Sequence, residues 1–199
     1  MSEPTKALGR RTTSRSRVLS YEAALAAARR AFLKESGLEM DSLARNLAVS
    51  RATLYRVVRS RDRLIGDVIW FFGERTLALA IAETKGSGVE RIVETARTFN
   101  AYVVSFEPLR TFVRAEPMAA LRVLITPAGG LHQRNVEAWK EIFLEAERNG
   151  ELELPFDADE LAYVFVRIGE SMLYSELLAG REPDIDVAAL VQRALLRHA

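Results

Sequence analysis

Two arginines and a tyrosine on one predicted short helix are the side chains of this sequence best suited to bind a polyanion. At about 100° per residue, four positions fill one contiguous arc of a helix predicted over 51–58: Arg51, Ala52, Tyr55 and Arg56. Arg51 could contact a guanine edge or a phosphate, Tyr55 could donate to a phosphate oxygen, and Ala52 would permit close approach. This combination predicts a DNA-reading face.

The opposite side of that helix has the apolar spacing that packing requires. Three residues follow the i, i+3, i+4 pattern of a buried stripe: Leu54, Val57 and Val58. Ser50 is well placed to cap the helix, and a helix predicted over 40–47 with a tight turn at 48–50 precedes it. Together they form a helix-turn-helix pattern. The other side chains that we expect at the DNA face are Ser42, Arg45, Ser50, Thr53 and Arg61, with Arg45 and Arg61 suited to phosphates.

Charge is distributed unevenly between the two parts of the chain. The net charge is +1 over 199 residues, but 1–65 carry a net +8 and the remainder a net −7. A basic head on an acidic body is typical of proteins whose head binds nucleic acid, and a chance fluctuation of solvated surface charge is the alternative. Residues 1–17 are polar and basic, which predicts a flexible arm.

Residues 18–64 resemble the DNA-binding region of the TetR family of bacterial transcriptional regulators. The matching segments are 27–32, 43–44, 49–50, 53–55 and 60–64. The sequence departs from the family pattern at Glu39, where a Ser or Thr cap is common, at Ala48 and Ala52, which replace glycines, and at 57–58, where Val-Val replaces Tyr-Phe. The link at 37–39 also looks shorter than usual. Ala48 fits the turn if its backbone is not strictly left-handed.

The resemblance implies a homodimer that binds a palindromic or near-palindromic double-stranded DNA operator. It also implies a C-terminal pocket for a small-molecule effector, whose binding would reposition a long fourth helix and release the operator. The implied default activity is repression relieved by the effector. The sign of that response stays open, as does the identity of the effector, which could be a lactone or another small apolar molecule.

The whole chain has helical patterning, and the predicted fold class is all-α. We expect a flexible arm over 1–17, a helix-turn-helix domain over 18–64 and a helical ligand-binding and dimerisation domain over 65–199. The predicted helices cover about 18–35, 40–47, 51–58, 61–84, 89–105, two short helices begun by Pro108 and Pro117, 131–148, 157 or 159 to 179, and 184 or 186 to 197.

The C-terminal region is rich in aromatic residues, which predicts an apolar cavity between helices or, alternatively, a packed core. The candidate ligand-binding residues are Trp70, Phe99, Tyr102, Val103, Phe106, Trp139, Phe143 and Phe165. Asn100, Arg114 or Glu170 could supply a polar anchor for the ligand.

Apolar stripes on the last two helices predict a four-helix dimer interface, with an intramolecular hairpin as the alternative. The stripes comprise Leu161, Val164, Phe165 and Ile168, followed by Val187, Leu190, Val191, Ala194 and Leu195.

Catalysis is the second function class. His132 and His198 are the two histidines and there is no cysteine, so we expect no enzyme, no metal site and no cofactor. A protein-interaction module without DNA binding is the third class, and the basic 51–56 face argues against it. Neither a signal segment nor an apolar run long enough for a bilayer is visible, so we expect a cytoplasmic protein without membrane contact.

Overall fold

A computed structural model describes residues 19–197, and in this range the chain is built from α-helices without strands. The predicted all-α fold class is confirmed. The helices are α1 Tyr21–Glu35, α2 Met40–Asn46, α3 Arg51–Val58, α4 Arg61–Glu83, α5 Gly88–Ser105, α6 Glu107–Ala115, α7 Pro117–Ile125, α8 Leu131–Arg148, α9 Ala158–Leu173, α10 Ser175–Ala179 and α11 Ile185–Arg197. The predicted basic arm, 1–17, and His198 lie outside the described residues.

Helices α1, α2 and α3 pack around a small apolar core at one end of the molecule. Phe32, Leu43, Leu54 and Val58 are buried there. The first helix starts later than the composition predicted, because the Ser20 hydroxyl accepts the Ala23 backbone N–H and so caps the helix at that point.

Helix α4 connects this end to the rest of the chain. Ser60 caps it by accepting the Arg63 backbone N–H, and the helix then continues without a break to Glu83. It packs against α1, α3, α5, α7 and α8. The domain boundary that we predicted at 64–65 falls inside this helix, so the two regions share one rigid element.

The body is a bundle in which α9 packs between α8 and α11, while α5 contacts both α4 and α11. Phe143, Leu161, Phe165 and Leu196 form the centre of its core. Pro108 and Pro117 occupy the first turns of α6 and α7, as predicted.

The helix predicted to run to residue 179 is interrupted at Tyr174. The Ser175 hydroxyl lies 3.0 Å from the carbonyl oxygens of Met172, Arg181 and Glu182. These contacts draw the following loop onto the end of α9, and the chain resumes as the short α10.

Within residues 19–197, no helix combines the length and the apolar character that crossing a membrane requires.

Candidate nucleic-acid interface and buried cavity

Helix α3 is held by its cap and its apolar side. The Ser50 hydroxyl accepts the Thr53 backbone N–H at 3.1 Å, which satisfies a free donor at the helix start. Leu54 and Val58 are fully buried against α1, α2 and α4, and Val57 is half-buried. The apolar stripe predicted from spacing therefore anchors the helix and leaves its other side free.

The outer side of α3 presents the residues predicted for DNA contact. Arg51, Ala52 and Arg56 are exposed, and Tyr55 is half-buried. The Arg51 guanidinium lies 5.4 Å from the centre of the Tyr55 ring, and its Nη1 donates to Asp41 Oδ2 at 3.2 Å. Both contacts orient Arg51 along the surface of the unit, beside α2. Thr53 is half-buried, with its hydroxyl 2.9 Å from that of Ser50.

Helix α2 is capped by the residue that departs from the family pattern. The Glu39 carboxylate accepts the backbone N–H groups of Asp41 and Ser42, the role that a shorter Ser or Thr usually fills. The hydrogen bonds with Ser42, followed by the one from Asp41, lower the pKa of Glu39 to about 2. On the same helix, Arg45 donates to the Ser42 hydroxyl at 2.7 Å and is exposed beside α3.

The turn between α2 and α3 is left-handed at Ala48, where φ is 54°. We had expected an alanine to fit this turn if the backbone at position 48 was not left-handed, and that expectation was wrong. A residue with a Cβ has a steric cost in this region of the Ramachandran map, and glycine would avoid it. The turn is nevertheless closed, since the Ala48 N–H donates to Arg45 and the Val49 N–H to Ala44.

Arg61 borders the same surface depression as Arg51 and Tyr55, but its guanidinium is held by groups of the protein. Its side chain is 24% exposed, with Nε donating to the Leu38 carbonyl at 2.8 Å and Nη2 donating to Glu116 at 2.6 Å. Both ends of the guanidinium are thus engaged by protein groups. The residue ties the α1–α2 link to the junction of α6 and α7, a partnership that no local pattern indicates.

A cavity of about 410 Å³ lies in the body between α4, α5, α8 and α9, and α11 also contributes to its wall. Five of the eight predicted ligand-binding residues line it: Phe99, Tyr102, Val103, Phe106 and Trp139. The remaining apolar and aromatic lining residues are Ile69, Phe72, Leu79, Ala96, Leu109, Leu131, Val166, Leu173 and Tyr174. Its size suits a small organic molecule.

Three of the predicted ligand-binding residues do not line this cavity. Phe143 and Phe165 are fully buried in the core behind it, with ring centres 5.1 Å apart. Trp139 covers Phe165 at 4.9 Å and separates it from the open space. Trp70 is half-buried on another side of α4, where the Arg134 guanidinium lies 6.0 Å from its ring centre. Aromatic type alone did not distinguish a cavity wall from a core layer.

Polar residues from several helices also line the cavity. Asn100 and Glu170, both proposed as anchors, line it, whereas Arg114 borders a different, smaller depression with Glu176. Sequence reasoning missed Gln192, which also lines the cavity and is 2% exposed. Its signal was available, since Gln192 is a polar residue among the buried positions of α11: Ala188, Ala189 and Leu196.

A second missed feature is a buried ionic cluster centred on Asp67 of α4. Asp67 is 8% exposed and accepts hydrogen bonds from the Tyr21 hydroxyl of α1 and from Arg134 of α8, while Arg63 lies 3.5 Å away. Burial raises the pKa of Tyr21, and the hydrogen bond to Asp67 raises it further. An acidic residue inside the apolar run of α4 was the signal. The cluster links the helix-turn-helix unit to the body.

Close backbone packing accompanies this cluster. A Cβ at Gly66 would overlap the carbonyl of Gly129, in the loop between α7 and α8. Gly66 is therefore required for α4 to approach that loop closely, one residue from Asp67.

The last long helices expose apolar side chains on one face. Val164 of α9 and Val187, Leu190 and Val191 of α11 are exposed, Leu190 to 61%. Leu161 and Phe165, which we had assigned to the same interface stripe, are instead fully buried within the chain's own core. Of the residues that we predicted for the α9 stripe, Val164 therefore faces outward, whereas Leu161 and Phe165 face the chain's own core.

Comparison with known proteins identifies relatives of the chain. Residues 87–197 match the family model described as the tetracyclin repressor-like C-terminal domain. A solved structure of the transcriptional repressor QsdR from R. erythropolis, of the TetR family, is 31% identical, with a TM-score of 0.84 over 88% of this chain and 93% of that one.

A second solved structure, the TetR family transcriptional regulator PfmR from Thermus thermophilus, is 18% identical and has a TM-score of 0.39, over 87% of this chain and 97% of that one. None of the curated proteins matches the sequence. The family model covers more than half of the chain, and the QsdR match extends over nearly all of it. The chain therefore belongs to the TetR family of DNA-binding transcriptional regulators.

Proposed function

We propose that this protein is a cytoplasmic, non-enzymatic repressor that binds a palindromic DNA operator as a homodimer and is released by a small apolar ligand. The observation that carries the proposal is the outer face of α3, where Arg51, Ala52 and Arg56 are exposed on a helix anchored by its opposite side. The QsdR relative, which is described as a transcriptional repressor, supports the sign of the activity.

In this proposal α3 enters the major groove. Arg51, Tyr55 and Arg56 contact bases or backbone, and Ala52 lets the helix approach closely. Ser42, Arg45 and the hydroxyls at the start of α3, Ser50 and Thr53, contact phosphates at the groove edge. The Asp41 carboxylate, which pairs with Arg51 in the free protein, must release it when a base or phosphate replaces it.

The exposed apolar face of α9 and α11 supports the homodimer. Val164, Val187, Leu190 and Val191 would be covered by the same face of a second copy, as an isologous interface requires. Four apolar side chains exposed together are unfavourable in water, and burying them would stabilise the dimer. A dimer would in turn set the spacing of the two α3 helices on the operator.

Helix α4 supplies a physical connection between the cavity and DNA. Ile69, Phe72 and Thr76 of α4 line the cavity, while the first turn of α4 packs against α3 and α1. The Asp67 cluster and the Gly66 contact hold α4 to α8 and its preceding loop. A ligand that binds one position of α4 better than another would shift α3 relative to the α3 helix of the second copy. That shift would weaken operator binding.

Selection of binding sites from a random double-stranded DNA pool, at about 150 mM salt to suppress non-specific binding, tests the proposal. We expect an inverted repeat with two half-sites, bound by a species with twice the 22.3 kDa mass of the chain. Leu190→Arg should yield a monomer that binds the operator more weakly, and Arg148→Ala, on an exposed end of α8, serves as a control. Recovery of no common sequence, or of a single half-site bound by a monomer, would contradict the proposal.

A further inference from the structure

An unpaired hydrogen-bond acceptor lies in the wall of the cavity. The Gln192 Nε2 group donates to the Phe165 carbonyl at 3.0 Å, which determines the orientation of the side-chain amide. The other end of that amide, Oε1, is buried and has no partner among the described residues. Buried polar atoms are nearly always hydrogen-bonded, so an unpaired one that borders a cavity indicates a group supplied from outside the chain.

Gly169 leaves space beside the amide nitrogen of Gln192. A Cβ at this position would lie 3.4 Å from Gln192 Nε2 and 3.9 Å from Asn100 Nδ2, and both amide residues line the cavity with Gly169. The absence of a side chain on α9 here opens a small polar recess between α5 and α11. We call the surface formed by Asn100, Gly169, Glu170 and Gln192 the polar floor.

Glu170 adds further acceptor atoms to the polar floor. His132 Nδ1 lies 3.0 Å from both of its carboxylate oxygens, and Arg167 donates to Oε2 at 3.1 Å. A carboxylate has about four lone-pair sites, so these partners leave acceptor capacity toward the cavity. Neither His132 nor Arg167 is among the described residues that line the cavity.

Basic charge is scarce in the cavity wall. Arg75 is the one basic residue among the described lining residues, and it is exposed, with its guanidinium 3.6 Å above the Phe71 ring. The polar floor therefore offers acceptor oxygens and the amide groups of Asn100 and Gln192, and no cation. An anionic head group would meet the Glu170 carboxylate there, whereas an uncharged donor would meet an acceptor that lacks a partner.

We propose that the effector has an apolar body and an uncharged head that donates a hydrogen bond, an amide N–H or a hydroxyl, to Gln192 Oε1. This inference rests on the proposed function, since it names the chemical class of ligand for the cavity of that regulator. The apolar body lies along Phe99, Trp139 and Val166, and the head occupies the polar floor.

Three probes with the same alkyl chain test the donor requirement on the wild-type protein: octanamide, methyl octanoate and octanoate. The first donates and accepts, the second only accepts, and the third is an anion. Calorimetric titration gives their dissociation constants, and Trp139 in the cavity wall offers a fluorescence signal as a check. We expect octanamide to bind about tenfold more tightly than methyl octanoate, and octanoate to bind most weakly.

The substitution Gln192→Met, which keeps the length of the side chain and removes its polar atoms, should abolish the preference for the amide over the ester. Gln133→Met makes the same chemical change at an exposed position of α8 and should leave the preference intact. Thermal unfolding of both variants shows whether the lost bond to Phe165 affects the fold. The wild-type ranking of the three probes tests the proposal even if Gln192→Met does not fold.

Equal binding of octanamide and methyl octanoate to the wild type would overturn the proposal, as would tightest binding of octanoate or no saturable binding of any probe. Persistence of the amide preference in folded Gln192→Met would also overturn it. Operator binding is measured separately on the same samples. Operator binding without the probe ranking contradicts this inference alone, whereas the probe ranking without operator binding contradicts the proposed function.

Discussion

The helix-turn-helix unit and the cavity are built in opposite ways. The residues of the α3 face fall within one short segment and are exposed, apart from the half-buried Tyr55, so helical periodicity alone brings them together. The cavity takes its wall from α4, α5, α8, α9 and α11, and the same side chains close the bundle core. Side chains of the α3 face can therefore be replaced without disturbing the core, whereas replacing a cavity side chain also changes the packing of the bundle.

The contacts that join these two regions should be more sensitive to substitution than either region itself. At the Asp67 cluster, a hydroxyl of α1 and charged groups of α4 and α8 meet where little water can screen them. Removing one partner there leaves buried polar groups unpaired, while removing a side chain from the α3 face leaves it in solvent. Substitutions should therefore separate stability from DNA affinity according to region.

The largest effect is expected for Asp67→Ala, which removes the acceptor shared by Tyr21 and Arg134. Because Arg134 would remain largely buried without a counter-ion, we expect a loss of about 3 kcal/mol in the free energy of unfolding, measured by urea denaturation. Asp62→Ala, on the same helix, breaks a more exposed pair with Arg122 and should cost less than about 1 kcal/mol. Similar losses in the free energy of unfolding for the two variants would show that the buried Asp67 cluster matters no more to stability than an exposed ion pair.

The next effect concerns the approach of α4 to the loop between α7 and α8. Gly66→Ala would force apart the backbones that meet at Gly129, and we expect a loss of about 1–3 kcal/mol in the free energy of unfolding. Gly73→Ala, two turns later on α4, meets no atom within 4 Å and should stabilise the helix by up to about 1 kcal/mol. The two variants, compared by thermal unfolding, should thus have opposite signs, and a shared sign would contradict the close packing.

On the DNA-facing side, Arg51→Ala should weaken binding to the selected operator by about 1–3 kcal/mol and relax sequence preference at one position of each half-site. Its free energy of unfolding should remain within about 0.5 kcal/mol of wild type, because the side chain is exposed. Fluorescence anisotropy with operator and scrambled DNA checks the first expectation, and urea denaturation checks the second. An equal loss on both DNA sequences would reassign Arg51 to phosphate contact.

The smallest effect is the pH dependence of the α2 cap. The pKa of Glu39 is lowered from 4.5 to about 2 in the folded protein, so its carboxylate contributes stability above the unfolded pKa and loses it as the pH falls toward 2. The difference in Tm between wild type and Glu39→Gln should therefore be larger at about pH 6 than at about pH 3. A difference independent of pH would indicate that charge is unimportant to this cap.

Local features of the fold were predictable where short-range chemistry decides them. The caps at Ser50 and Ser60, the start of α6 and α7 at prolines and the buried stripe of α3 all depend on residues within a turn or two. The prediction of one helix to residue 179 failed because Ser175 contacts the loop ahead, and the pairing of Arg61 with Glu116 was not indicated by any local pattern. Neither partner is within reach of a helical repeat.

The sequence by itself determined the helical class, the position of the helix-turn-helix and the identity of its outer face, because the helical repeat converts residue spacing directly into direction. Tertiary structure decided which aromatic residues line the cavity and which form the core, and which apolar side chains of α9 face outward. It also decided that Gln192 is left with an unpaired acceptor and that Asp67 joins three helices. These properties depend on how far apart non-adjacent helices pack, a distance set by all the side chains between them together.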